Sequence, residues 1–129
     1  MRRLPYLLLF LLLLGACGGG TTPEELASLA AEGYYRHLLR GEYEQFMAGK
    51  DGLDDMPDDY REQMRVAYKQ YMAQQNEVHR GILDVRVSNA KTDSSLHLTN
   101  VFLVLCFGDS TNEEITVPMV ERKGRWRMR

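Results

Sequence analysis

The sequence is poor in cysteine, in excess charge and in long apolar runs, and each shortage excludes a class of protein. Two cysteines in 129 residues are too few for a framework of several disulfides. The formal charge is −2, so no basic excess points to nucleic acid as a partner. The apolar run at residues 4–14 is shorter than the ~20 residues that a membrane-spanning helix needs.

The sequence also lacks the short motifs of several site types. It contains no glycine-rich phosphate loop and no nucleophile elbow. His79 and His97 fall near predicted strand starts and could approach each other, but no cysteine or carboxylate lies at ligand spacing. The acidic stretch 51–55 lacks the ligand spacing of a calcium loop. We therefore predict no metal and no cofactor.

The first sixteen residues have the layout of a secretory signal peptide. Two arginines begin the segment, an apolar run follows, and Leu14-Gly15-Ala16-Cys17 closes it. A positive start, a short apolar region and small residues at the cut are typical of such leaders. Residues 1–16 are therefore predicted to be removed, which changes the formal charge from −2 to −4 because both arginines leave with them.

Leu14-Gly15-Ala16-Cys17 resembles a bacterial lipobox, in which a leucine stands three residues before the cysteine. The resemblance implies that Cys17 becomes the mature N-terminus and carries lipid, and that residues 17–22 form a flexible tether. Because Gly18 is not the aspartate that retains such lipoproteins in the inner membrane, it also implies the outer membrane, on its periplasmic side. Surface exposure is one alternative, and a cleaved signal followed by an ordinary cysteine is another.

Three helices are predicted between residue 23 and about residue 75. Thr22-Pro23-Glu24-Glu25 combines a cap, a proline at the first helical position and a capping-box glutamate, so helix 1 spans about 23–40. Residues 42–48 predict a short second helix, followed by an acidic loop. Apolar and aromatic residues three and four apart predict a third helix that begins near residue 57 and ends at about residue 75.

After His79 the apolar period changes from 3.6 to 2, which indicates strands. Leu83, Val85 and Val87 are predicted to face the core, and residues 89–95 to form a turn. Further strands are predicted over residues 96–107, where Cys106 is expected to be a buried thiol, and around residues 115–119 and 126–128. Short turns join antiparallel strands, so the fold class is α+β: N-terminal helices packed on a curved antiparallel four-stranded sheet, as a cone with a pocket.

Residues 23–129 resemble nuclear-transport-factor-2-like domains, which are also called SnoaL-like or cystatin-like cones. TPEELASLAAEGYYRHLLRGEYEQFM is similar to their opening helices, and EEITVPMVERKGRWRMR is similar to their last hairpin. With the lipobox, the chain resembles small uncharacterised lipoproteins of Gram-negative bacteria that carry this fold. The family includes isomerases, cyclases, dehydratases and members with no chemistry, so the fold alone does not give the function.

The candidate site is a set of aromatic and imidazole side chains on the helical layer. The predicted ligand-binding residues are Tyr34, His37, Tyr60, Tyr68 and Tyr71. His37 lies on the apolar face of helix 1 and could be a general base, with Tyr34 or Tyr68 as hydrogen-bond donor. The alternative is a histidine at the pocket rim that bonds to a backbone carbonyl or water. The tyrosines would suit a flat apolar ligand, or they are core residues whose hydroxyls reach solvent.

These observations favour a lipid-anchored periplasmic binding or interaction module that holds a small apolar ligand or a partner protein. A homodimer through the exposed sheet face is also expected. The alternative is a lyase or isomerase that acts on a hydrophobic small molecule with His37 as base. Asp84, the strand carboxylate that such an enzyme would need, is predicted to face water beside Arg86. The basic end, residues 122–129, is expected either to lie against anionic lipid or to form an edge strand whose arginines face water.

Overall fold

Three helices pack on one antiparallel sheet in the computed structural model, which describes residues 21–129. The helices are α1 (Pro23–Leu39), α2 (Tyr43–Ala48) and α3 (Asp58–His79), with a 3-10 turn at Leu53–Asp55. The strands are β1 (Ile82–Asp93), β2 (Leu98–Phe107), β3 (Asn112–Arg122) and β4 (Arg125–Met128), in the order β1-β2-β3-β4. The predicted fold class is confirmed. The predicted signal peptide and Cys17 lie outside the described residues.

Helix α1 begins and ends as its sequence predicts, and it packs mainly on β1. The Thr22 hydroxyl accepts a hydrogen bond from the Glu25 backbone N–H at 3.2 Å, which satisfies one of the free amides of the first turn. The chain leaves the helix at Arg40 and reverses at Gly41, where φ is 74°. Ala27 and Ala31 are fully buried, so the helix backbone lies close to the sheet.

Apolar side chains fill the hollow of the sheet. Alternate residues of β2, from Val101 to Phe107, point into the hollow and are buried there. Cys106 points to the opposite face and is only partly buried, so the prediction that it is a buried thiol was wrong. Residues from the other strands and from all three helices complete the core: Ala27, Ala31, Leu38, Phe46, Met72, Ile82, Val85, Val117, Met119 and Met128. The centre of the hollow, where the cone shape suggested a pocket, is therefore a packed core.

Strand β1 differs from the predicted pattern because its pairing with β2 is irregular at two points. The first irregular point lies between Ile82 and Asp84. Ile82 is buried there and Leu83 is 70% exposed, so the prediction that Leu83 faces the core was wrong. The second lies between Val87 and Asn89. An extra residue at such a point reverses the inward and outward alternation beyond it. Because β1 continues to Asp93, most of the turn predicted at 89–95 is strand.

Two further boundaries differ from the predictions. Helix α3 continues one turn beyond residue 75 and ends at His79, because Arg80 and Gly81 adopt positive φ values of 61° and 86° there. Strand β2 begins at Leu98, not at Leu96, which lies in the exposed β1–β2 turn. Residues 76–79 give no periodic apolar signal, whereas the apolar Leu96 looks like a strand residue in the sequence.

The basic hairpin β3–β4 is tied to the acidic loop that follows α2. The Asp51 N–H donates to the Met128 carbonyl at 2.7 Å, and the Met128 N–H donates to the Gly49 carbonyl at 2.7 Å. Arg122 pairs with Asp51, and Arg127 pairs with Asp54. The loop therefore covers part of the β4 edge and pairs with two of the hairpin arginines, while Arg122, Arg125 and Arg129 remain exposed.

No helix in residues 21–129 has both the length and the apolar character that crossing a membrane requires.

Candidate functional site

Tyr34 connects α1 to the last strand. Its hydroxyl donates to the Trp126 carbonyl at 2.7 Å, and its ring lies against the backbone of Gly49. The phenol O–H thus satisfies a backbone acceptor of the edge strand, and the ring packs against the loop that covers this strand. Tyr34 is placed to hold the fold together.

His37 lies at the end of α1 and faces a carboxylate. Its Nδ1 is 3.1 Å from Oε1 of Glu42, and the side chain is partly exposed. The partner of its Nδ1 is thus a side-chain carboxylate. His37 and Tyr34 direct their polar atoms to different partners, and neither lines the grooves described below.

Tyr60 and Tyr68 are brought together by α3. They share a groove of about 200 Å³ with Lys50, Asp51, Gly52, Leu53, Met56, Met64 and Arg129. Burial raises the pKa of the Tyr68 phenol, and the neighbouring Tyr60 adds to the rise. Ligand sites usually enclose roughly 300–1,000 Å³, so this groove is small for a drug-sized molecule.

Tyr71 is exposed on α3, while its neighbour across the helical layer, Tyr35, is partly buried against the core. Burial raises the pKa of Tyr35 to about 12, with smaller contributions from Tyr71 and Tyr68. The Tyr35 and Phe46 ring centroids are 5.3 Å apart, and those of Phe46 and Tyr68 are 5.0 Å apart, both edge to face. Tyr35, which the sequence analysis did not select, thus joins an aromatic cluster that packs the three helices together.

A larger groove runs between the first half of α1 and the outer half of β1. Its volume is about 560 Å³, and its lining residues are Thr22, Glu24, Glu25, Ser28, Leu29, Val87, Asn89 and Ala90. Leu29 is 67% exposed, and Val87 and Ala90 beside it are partly buried. These three residues form an apolar floor. Glu24, Glu25 and Asn89 flank this floor. We call these eight residues the α1/β1 groove. The sequence analysis missed it, although Leu29 lies off the buried stripe of α1.

Polar contacts join α1 to β1 at both ends of the α1/β1 groove. At one end the Thr92 hydroxyl donates to Oε1 of Glu24 at 2.7 Å. At the other end Arg36 donates to the Val85 carbonyl and to Oδ1 of Asp84, each at 3.0 Å. The Arg36 guanidinium lowers the pKa of Asp84. Asp84 is therefore a solvent-facing ion-pair partner, as expected, but of Arg36 and not of Arg86.

His79 forms a second histidine–carboxylate pair at the end of the sheet where β1 begins and β2 ends. Its Nδ1 is 2.9 Å from Oδ2 of Asp109, and its ring stacks on Phe107 with centroids 4.5 Å apart.

His97 lies in the β1–β2 turn, at the opposite end of the twelve-residue strand β1. The two histidines do not approach each other, and within residues 21–129 no three His, Cys, Asp or Glu side chains form a group suited to a metal.

We expect the Asp109 carboxylate to make the stability of the protein depend on pH in the acid range. The Thr111 hydroxyl and, next, His79 hold the pKa of Asp109 at about 2, below its usual 3.8. Because the folded-state pKa is lowered, this stabilisation is present above pH 4 and is lost as the pH falls towards 2. We expect wild-type stability to decrease more steeply than that of Asp109→Asn between pH 4 and pH 2. Urea midpoints measured across that range check this, and parallel pH profiles would contradict it.

Two solved structures are similar to this chain. The crystal structure of a proposed NTF2-like transpeptidase from Campylobacter jejuni aligns with a TM-score of 0.62 at 14% identity, over 84% of this chain and 97% of that one. The solution structure of a SEC-C motif containing protein from Rhodopseudomonas palustris aligns with a TM-score of 0.49 at 13% identity, over 86% and 91%. Neither a family model nor a curated protein matches. The first similarity shows that the chain has a nuclear-transport-factor-2-like fold.

Proposed function

We propose that this protein is a lipid-anchored interaction module of the cell envelope that binds a partner protein in the α1/β1 groove. The proposal rests on the location of the concave surface that the folded protein exposes. Leu103, Leu105 and Met119 occupy the centre of the hollow, fully buried. The α1/β1 groove, of about 560 Å³, lies outside this core and opens to solvent.

The exposed polar and apolar groups of the α1/β1 groove favour a peptide segment over a small ligand. A small apolar ligand needs a cavity that covers most of its surface, which an open groove does not provide. Strand β1 is an edge strand, and an extended peptide can bind beside such an edge with its side chains in neighbouring pockets. An apolar side chain of the partner would contact Leu29, and a basic one would lie near Glu24 and Glu25.

The position of the groove fits an anchored protein. Thr22 lines the groove and lies five residues after Cys17. Five extended residues span about 17 Å. A lipid on Cys17 would therefore keep the groove close to the bilayer surface, where it would meet membrane-associated or periplasmic partners. The enzyme alternative has no comparable support, because the polar atoms of His37 and Tyr34 bond to different partners and neither residue lines the α1/β1 groove.

Photo-crosslinking in intact cells tests the groove. A photoreactive amino acid replaces Leu29 in the groove, and in the matched control it replaces Gln74, which is exposed on α3. We expect one protein adduct of defined mass from position 29 and none from position 74, and we expect Glu24→Lys/Glu25→Lys to reduce its yield severalfold. Equal adducts from both positions would contradict the proposal, as would a small molecule that co-purifies with the wild type and is lost on Leu29→Asp.

A further inference from the structure

A second groove lies between the acidic loop that follows α2 and the hairpin β3–β4, and it shares no residue with the α1/β1 groove. Its volume is about 420 Å³, within the range of roughly 300–1,000 Å³ that is usual for sites of small ligands. Its two walls carry opposite charges. The loop supplies Asp51, Asp54 and Asp55, and the hairpin supplies Arg122, Lys123, Arg125 and Arg127. We call these seven residues the charged groove.

Ion pairs hold the two walls of the charged groove together. Nε of Arg122 is 3.2 Å from Oδ2 of Asp51, and Nη1 of Arg127 is 3.0 Å from Oδ2 of Asp54. One partner of each pair is largely withdrawn from water, since the Asp51 side chain is 26% exposed and the Arg127 side chain 18%. The backbone N–H of Asp51 also donates to the Met128 carbonyl at 2.7 Å. The walls are therefore held in place before any ligand binds.

Three of the seven charges have no ion-pair partner within residues 21–129. They are Asp55 on the loop wall and Lys123 and Arg125 on the hairpin wall, and all three side chains are exposed. Asp55 lines the same groove as the two cations, yet it is too far from them to form an ion pair. The gap between the walls therefore has room for a molecule that supplies the missing partners: a cationic group for Asp55, and anionic groups for Lys123 and Arg125.

We propose that the charged groove binds a dicarboxylic amino acid such as glutamate. The ammonium group of the ligand pairs with Asp55, and its two carboxylates pair with Lys123 and Arg125. The ligand carries two negative charges and one positive charge, and the unpaired groups carry the reverse, so every charge gains a counterpart. Arg125 suits a carboxylate because a planar guanidinium donates two parallel N–H bonds to its two oxygens.

Ligands with charge of one sign fit the charged groove less well. A simple anion would pair with Lys123 and Arg125, but Asp55 would repel it. A simple cation would pair with Asp55, but both unpaired basic residues would repel it. The two walls thus select a molecule that carries both signs of charge.

Titration with glutamate tests the site, with glutamine and glutarate as comparison ligands. Glutamine lacks the second carboxylate, and glutarate lacks the ammonium group. In NMR spectra of the full chain in detergent micelles, we expect glutamate to shift the backbone amide signals of residues 51–55 and 122–127. Glutamate should bind about fivefold more tightly than either comparison ligand at low salt, as expected for one additional exposed ion pair. Equal binding of the three ligands, or no shift in these residues, would overturn the proposal.

Removal of the three unpaired charges gives a second test. Asp55→Asn, Lys123→Gln and Arg125→Gln should each weaken glutamate binding about fivefold, because each removes one ion pair. Asp55→Asn should also abolish the preference for glutamate over glutarate, since only this residue pairs with the ammonium group. Glu77→Gln and Lys69→Gln, exposed changes on α3, are the matched controls and should leave the affinity unchanged. Groove variants that bind glutamate as the wild type does, or controls that weaken it equally, would overturn the site.

Discussion

We expect a Cys17→Ser variant to incorporate no palmitate, and the wild-type chain and Cys106→Ser to be labelled equally. This result follows if Leu14-Gly15-Ala16-Cys17 is processed as a lipobox, because Cys17 is then the only residue that carries lipid. The measurement is metabolic labelling with an alkyne palmitate, combined with the intact mass of the mature protein. The expected mass is that of residues 17–129 plus lipid. A wild-type chain that keeps a free thiol at Cys17 would contradict the prediction.

The same modification should decide where the protein fractionates. A single acyl chain binds membranes only weakly, whereas two or more give stable attachment. We therefore expect nearly all of the wild-type protein in the membrane fraction. A chain whose residues 1–17 are replaced by an ordinary cleavable leader should be found almost entirely in the soluble fraction. If this replacement remained on the membrane after cleavage of its leader, the attachment would come from residues 18–129 and not from lipid.

Gly49→Ala should destabilise the fold by about 2–4 kcal/mol, through crowding and a lost hydrogen bond. A Cβ atom at position 49 would lie 2.5 Å from the nearest atom of the Tyr34 ring, closer than any real contact allows. The ring cannot simply move aside, because its hydroxyl donates to the Trp126 carbonyl. Chemical denaturation at neutral pH measures the loss.

Two further variants make the Gly49 prediction specific. Gly33→Ala places the same methyl group on the exposed face of α1, where nothing lies within 4 Å, and should stabilise the protein by about 0.5–1 kcal/mol. In a Tyr34→Ala background, Gly49→Ala should cost much less than it costs alone, because the ring is gone. Equal destabilisation by Gly49→Ala with and without the ring would show that the crowding argument is wrong.

The candidate site was less predictable than the helices because side-chain partners depend on distant residues. The helical period correctly grouped Tyr60 with Tyr68, which are neighbours on one face of α3. It could not show that the Tyr34 hydroxyl would bond to a carbonyl 92 residues later. The same limit applies to Asp109, whose partner His79 ends a different element.

The sequence by itself determined the type and order of the elements, since capping residues, glycines and apolar periods are local signals. They specify three helices followed by four antiparallel strands, and the structure confirms this layout. Tertiary structure alone decided which faces are buried. The two irregular points of β1 turned Leu83 outward, and the small residues of α1 allowed the core to close. Burial depends on register and on how closely elements approach, and both result from contacts between residues far apart in the chain.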